Sequence, residues 1–286
     1  SEYNEKVEAK LPNPILLDIV AALRTDLTIL INLRAWLCVN YDKWVTDGGD
    51  ADWKREPVFR GYLYFSAPKR EFLGRFISNR NGFIGEHPPM PPALKTAIQS
   101  TDFSATLYIR PGLFHFELGW PYELGFELGK RGEVFFLSVR GGLIHRVEDF
   151  SVLQGIAFKA YGEVHLEGRI GSDSFGAAAV AHATFNLETR LLSCLSLRNF
   201  DESMYYGYLR LDILIDSRIE VWLSFKVFGK RIRLSAGFSI CLAVSIAIEG
   251  VVSPKGLGGK AHASVGIRAF GRTASVGIGF SFNNGL

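Results

Sequence analysis

Cysteine is scarce and scattered: Cys38, Cys194 and Cys241 share no Cys-x-x-Cys spacing, which excludes a disulfide framework and a zinc knuckle alike. Their odd number points to a reducing compartment, or to the absence of secretion-linked oxidation, with free thiols as the default. No run reaches the ~18 consecutive apolar residues of a membrane-spanning helix, so only strands could enter a bilayer. Neither sign of charge dominates. With 32 basic and 29 acidic side chains and a formal charge of +3, nothing argues for nucleic acid or an anionic membrane as partner. Catalytic signatures are missing too, since there is no Gly-x-Ser-x-Gly elbow, phosphate loop or His-Glu-x-x-His. The start, Ser1-Glu2-Tyr3-Asn4-Glu5-Lys6, has no initiator Met and no signal-peptide pattern, and it reads as the edge of a fragment of something longer.

What is abundant is apolar surface arranged with a period of two. The chain is 48% hydrophobic, 21% charged and 13% aromatic, enough to drive folding and to exclude a disordered chain. Leu27, Ile29, Ile31, Leu33, Ala35, Leu37 and Val39 fall on one face of an extended segment. Phe158, Ala160, Gly162, Val164, Leu166 and Ile170 share a face, while Lys159, Tyr161, Glu163, His165, Glu167 and Arg169 share the other. The same pattern recurs over 209–215, 219–227, 232–248, 261–269 and 274–282, with glycines as punctuation. The fold class expected is all-β: long antiparallel hairpins in a meander, as a closed or flattened barrel or β-roll, with little helix near the N-terminus. A β-rich region over 1–92, ending in a Pro-rich connector, would precede a hairpin-repeat region over 93–286, and the two can equally form one continuous domain.

Turn chemistry sets the expected registers. Gly229-Lys230 and Gly271-Arg272 place Gly first, as a type II′ turn needs. They would pair Val227 with Ile232 and Ala269 with Ala274, in two hairpins that repeat Phe-Gly-Lys/Arg and Gly-Phe-Ser at the same internal spacing. A turn at Ser172-Asp173 would bring His182 opposite Glu163. Nearer the N-terminus, Pro12 and Pro14 precede Ile15 to Leu23, for which Ala21-Ala22-Leu23-Arg24 favours a short amphipathic helix over a first strand. The acidic stretch from Asp47 to Asp52 reads as an exposed loop, His87 to Pro92 as an extended connector, and Leu94 to Ile98 as one helical turn.

Two constellations resemble sites. Glu163, His165 and Glu167 alternate onto one strand face and His182 joins them in register; carboxylates and imidazoles so spaced can hold zinc or manganese. The opposite face of that strand is apolar, so the four read instead as its solvent positions, and neither a metal, a cofactor nor a catalytic residue is assigned. Glu-Leu-Gly occurs three times between Glu117 and Gly129, around Trp120; paired carboxylates beside a Trp can serve a glycosidase, but outward acids and glycine bends explain the run more simply. Opposite the apolar face of the C-terminal strands stand small residues, Ser239, Cys241, Ala243, Ser245, Ser275, Gly277 and Gly279, a pattern that implies close approach by another layer, whether a second sheet, the N-terminal part or a neighbouring subunit.

The segment from Phe114-His115-Phe116-Glu117-Leu118-Gly119-Trp120-Pro121 through Gly171-Ser172-Asp173-Ser174-Phe175-Gly176 to Gly279-Phe280-Ser281-Phe282, about residues 110 to 286, resembles a family of large β-repeat bacterial and fungal proteins known only as a domain of unknown function. The resemblance implies a β scaffold belonging to a larger polypeptide, and it carries no catalytic residues. The function expected is a non-enzymatic structural or interaction module, with other protein chains or further copies of itself as partners through the C-terminal strands. An amphipathic β-barrel or trough for membrane insertion or lipid carriage is the alternative, and a glycan-active enzyme the third choice.

Overall fold

The computed structural model describes residues 15–37, 57–78, 101–228 and 230–285. The expected loop at 47–52, the Pro-rich connector at 87–92, the helical turn at 94–98 and Cys38 lie outside them. Fourteen strands follow in chain order: β1 (Ile15–Leu23), β2 (Thr28–Leu37), β3 (Phe59–Ser66), β4 (Glu71–Ser78), β5 (Ser104–Arg110), β6 (Leu113–Leu118), β7 (Leu124–Gly129), β8 (Phe135–Glu148), β9 (Ser151–Gly171), β10 (Phe175–Ser196), β11 (Met204–Val227), β12 (Lys230–Ser253), β13 (Gly256–Ala269) and β14 (Arg272–Asn284). They form one antiparallel meander in sequence order, with β7 set off the path and paired to β8. Among the described residues no pairing joins β1 to β14, so the hydrogen-bonded path is not closed. The chain divides into two compact units: one takes residues up to Phe126 together with Arg140–Ile156, the other Glu127–Val139 and Ala157 onward.

The helix favoured over Ile15 to Leu23 is strand β1. A turn in which Leu27 donates its N–H to Arg24 O at 3.0 Å, and Asp26 Oδ1 accepts the N–H of Thr28 at 3.0 Å, folds it back so that Leu17, Ile19 and Leu23 oppose Ala35, Leu33 and Ile29. The β-branched residues Ile15, Ile19 and Val20, together with the strand partner, override the helical propensity of Ala21-Ala22.

The two repeat hairpins form, with turns one residue upstream of those expected. The pairs that flank the turns are Val227 with Lys230 and Ala269 with Arg272, which leaves Phe270-Gly271 as the loop of the second. Phe270 and Gly271 have φ of 52° and 75°, positive at both positions as a type I′ turn requires, and Phe228 has φ of 48°. Moving the turn by one residue moves the register by two. Because side chains alternate with period two, every apolar residue keeps its face: Ile219, Val221, Leu223 and Phe225 meet Phe238, Ala236, Leu234 and Ile232.

Faces stay consistent across neighbouring strands in both units. In the first, Ile29, Ile31 and Leu33 of β2 meet Phe65, Leu63 and Gly61 of β3, which in turn meet Phe72, Gly74 and Phe76 of β4. Ile109 of β5 continues this face to Phe114 of β6. In the second, Phe175, Ala179 and Ile213 through β10 and β11 lead to Val244 and Ile248 of β12, then Val265 and Ile267 of β13, then Val276 and Ala274 of β14. Within the second unit the contacts among the described residues run between neighbours in the meander, and these residues supply no second layer over the small-residue face. The small residues make room instead for long neighbours: a Cβ on Gly277 or Gly279 would sit 3.5 or 3.4 Å from the His262 ring.

A Phe in the left-handed region costs about 1 kcal/mol or more, and the fully exposed Phe228 recovers nothing by packing. Phe228→Asn, which suits an αL turn position, is therefore expected to raise the thermal midpoint by roughly 0.5–1 kcal/mol of stability. The same change at Phe270, whose ring stacks on Phe238 at 5.7 Å, should gain less; thermal denaturation of both variants, with no gain for Phe228→Asn, would refute this account of the turns.

Candidate functional site

Burial runs opposite to the sequence expectation on β9. Glu163 is 9% exposed, while Phe158, Val164, Leu166 and Ile170 on the apolar side are 39%, 38%, 56% and 80% exposed. Around Glu163 the polar face is thus the better covered one, because side chains of its own strand and neighbours lie across it, although Ala160 and Gly162 on the other face are buried as well. Tyr161 donates its hydroxyl to Glu163 Oε2 at 3.1 Å, Arg131 Nε approaches the same oxygen at 4.0 Å, and His182 Nε2 stands 3.2 Å from Oε1. Arg131 also sits 4.9 Å over the Tyr161 ring.

Glu163 and His182 thus come together as a side-chain contact, and the rings of His165 and His182 lie 6.0 Å apart. Glu167 stays exposed on β9. Among the described residues no group of three or more His, Cys, Asp or Glu side chains is gathered closely enough to hold a metal ion. Glu163 has its capacity taken up by a phenol, an imidazole and a guanidinium, which makes it the centre of a polar contact.

Further along the same face of the second unit, charges are settled laterally. Asp212 accepts from Ser245 Oγ at 2.6 Å, Arg210 Nε at 2.7 Å and Asn186 Nδ2 at 3.4 Å. Burial pushes its carboxyl up, but these three hydrogen bonds together outweigh burial and hold its pKa below the usual carboxylate value. At the Glu249 carboxylate, Lys260 Nζ at 2.8 Å lowers the pKa, helped by the Tyr206 hydroxyl at 3.1 Å. Trp222, 3% exposed, anchors the end of this face: its indole N–H donates to Ser172 O at 3.0 Å, and Arg169 and Arg233 lie 4.9 and 5.1 Å from its ring. Gly176 allows this closeness, for a Cβ there would meet the Trp222 ring at 2.4 Å.

The other face is the unusual one. From β10 to β14 its positions carry no charged residue except Lys230 and Arg272, each beside a hairpin turn. Leu223, Leu234, Ile248 and Ile267 are 47%, 57%, 48% and 48% exposed, and Val276, Ile278 and Phe280 on β14 are 70%, 71% and 65% exposed. Single exposed apolar side chains are ordinary, but a contiguous uncharged surface over five strands is not. Both turns push a Phe outward, Phe228 fully exposed and Phe270 75% exposed, directly beside those two cations. The alternation showed which residues share this face; that it is the uncovered one is visible only with the neighbouring strands in place.

The Glu-Leu-Gly segment supplies no pair of idle carboxylates in the first unit. Glu117 is held by His115 Nε2 at 3.1 Å, and Glu123 accepts from Ser104 Oγ at 2.6 Å. Cys194 and Cys241 are free thiols, as the spacing implied. No protein-family model, curated protein or solved structure matches the chain.

The lowered pKa of Asp212 has a definite linkage sign: its stabilisation is present above the ordinary value of 3.8 and is lost as pH falls through the lower folded value. Asp212→Asn should leave a shallower decline of thermal midpoint with acidification below pH 3.8 than the wild type shows. Parallel declines for the two proteins would show that Asp212 does not contribute to acid sensitivity.

Proposed function

We propose that this chain is a non-enzymatic β module whose working surface is the uncharged apolar face, and that this surface carries lipid hydrocarbon. The observation that bears the reading is the exposed run of Leu, Ile, Val and Phe from β10 to β14, with charge confined to the turn positions of Lys230 and Arg272. Hydrocarbon fits such a surface because it asks for no hydrogen bond and no counter-charge, whereas protein interfaces carry about one hydrogen bond per 100–200 Å². Exposed Phe228 and Phe270 beside cations match the boundary between acyl chains and anionic or zwitterionic headgroups, where aromatic and basic side chains are favoured.

Strand length favours carriage over insertion. At ~3.3 Å per residue, the 24 residues of β11 and of β12 extend about 80 Å. A strand tilted by ~45° needs only 9–11 residues to cross a hydrocarbon core of about 30 Å. An apolar face continued well past that length is suited to acyl chains lying along it. The repeat-like rhythm over residues 110–286, which resembles large β-repeat proteins, is compatible with a scaffold of this kind.

A second reading, association with another chain or copy through the C-terminal strands, draws on the edge itself. Every residue of β14 is exposed, and among the described residues the strand pairs with β13 alone. Apolar edges of this length template strand addition unless something occupies them.

Protein purified without detergent is expected to carry lipid detectable by mass spectrometry. Val265→Asp together with Ile278→Asp should reduce that load several-fold while leaving a β-type circular dichroism spectrum. Lipid-free protein that takes up none from vesicles would end the carriage reading, and stable co-flotation with vesicles would favour insertion instead. For the edge, deletion of residues 272–286 should abolish self-association in sedimentation experiments; an unchanged oligomeric state in a folded, soluble truncated chain would dismiss it.

A further inference from the structure

The hairpin of β11 and β12 reaches further than the strands beside it. β10 pairs with β11 only as far as Phe175 opposite Leu223, and β13 pairs with β12 only as far as Ala269 opposite Ile240, whereas the ladder between β11 and β12 runs on to Val227 opposite Lys230. The four residues Ser224–Val227 therefore pass the end of β10, by about 13 Å at ~3.3 Å per residue. On the other side the ten residues Lys230–Ser239 pass the end of β13. The two faces of this projection differ in chemistry. Leu223, Phe225, Ile232 and Leu234 stand exposed on the apolar face, and Phe228 is fully exposed at the tip. Lys226, Arg231 and Arg233 stand exposed on the other face, with Lys230 beside the turn.

These four cations are poorly compensated. From Val221 to Ile248 the chain has no Asp or Glu. Two carboxylates reach the hairpin from outside that stretch, and each is shared with another arginine: Asp173 lies 4.0 Å from Arg231 and 3.4 Å from Arg169, and Glu220 lies 3.7 Å from both Arg233 and Arg218. Lys226 and Lys230 make no ion pair among the described residues. Lys226 is also paired in register with Arg231, and like charges directly opposite are unfavourable until an anion approaches them. The positive φ of Phe228 is a second cost, carried by a ring that packs on nothing.

We propose that this hairpin docks the protein on an anionic lipid surface, with Phe228, Phe225 and Ile232 entering the headgroup boundary and Lys226, Lys230, Arg231 and Arg233 facing lipid phosphates. The projection suits the depth of about 5–10 Å at which amphipathic elements lie in that boundary. A stable protein interface takes about 20–30 residues a side, well beyond what this tip offers. Nucleic acid matches the cations and can stack on Phe228, but it leaves the aliphatic face in water, whereas an anionic bilayer accepts both faces. Docking goes beyond lipid carriage and does not require it.

Flotation of the full chain with vesicles of phosphatidylcholine, alone or in equal parts with phosphatidylserine, tests this. Binding should be at least about tenfold tighter with phosphatidylserine and should be lost in about 1 M NaCl, where the Debye length is about 3 Å. Lys226→Gln together with Lys230→Gln should weaken binding about tenfold or more, since one cation near an anionic leaflet contributes about fivefold. Phe228→Asn should weaken binding several-fold while raising the thermal midpoint, a combination that a purely structural role does not produce. Equal binding to both vesicles, binding that survives about 1 M NaCl, or variants that float like the wild type would overturn the proposal, the first two by showing insertion through the apolar face. Capture of a single-stranded oligonucleotide without vesicle binding would overturn it in favour of nucleic acid. Should a variant fail to fold, the headgroup and salt comparisons on the wild type still decide. Protein that co-purifies with lipid yet binds no vesicle would end docking and keep carriage, and lipid-free protein that docks would do the reverse.

Discussion

Side chains on a β-strand alternate between two faces, and the phase of that alternation is the constraint on which this protein depends. In β11 a single charged row, Arg210, Asp212, Asp216, Arg218 and Glu220, alternates with Leu211, Ile213, Ile215 and Ile219. A slip of one residue against β10 or β12 would place the charges among Ala179, Phe238 and Val244, where no partner could receive them. The registers of β10 to β14 therefore reinforce one another, each strand inheriting its phase from the one before.

Holding that phase concentrates polar chemistry on one face, and in the second unit adjacent strands settle much of it laterally. Carboxylates find donors on adjacent strands, as Asp212 does with Asn186 and Ser245, and Glu163 with His182. Small residues at Ser245, Gly237, Gly277 and Gly279 serve this arrangement, since long side chains can lie flat only over short ones. The face that sequence patterning marks as solvated is consequently the better covered one on β9, and much of the apolar face is left exposed. The polar face is not uniformly settled: where Asp212 is saturated with donors, Asp216, four residues along the same strand, has a shielded oxygen with none.

Strain collects where the turns meet this surface. Phe228 and Phe270 occupy positive-φ positions that Asn or Gly would fill at lower cost, and both rings project outward. Sequence reasoning preferred Gly as the first loop residue because a type II′ turn needs it there, and it misplaced both turns by one residue. The error left the faces intact, since a register shift of two is invisible to a pattern of period two. Ile15 to Leu23 failed differently: Ala21-Ala22-Leu23-Arg24 has local helical propensity, and only pairing with β2 made the extended form the better one.

The sequence by itself determined the all-β class, the two faces of each long strand and the approach of His182 to Glu163, because these follow from period-two alternation and from short turns that fix nearest-neighbour pairing. Which face would be covered was decided by tertiary structure, since burial depends on what neighbouring side chains lie across, and Tyr161, Arg131 and His182 converge on Glu163 from positions up to 32 residues apart in the chain. The projection of the hairpin between β11 and β12 was equally illegible: its cations can be read along the chain, but that β10 and β13 stop short of it follows only from the registers that set Phe175 against Leu223 and Ala269 against Ile240.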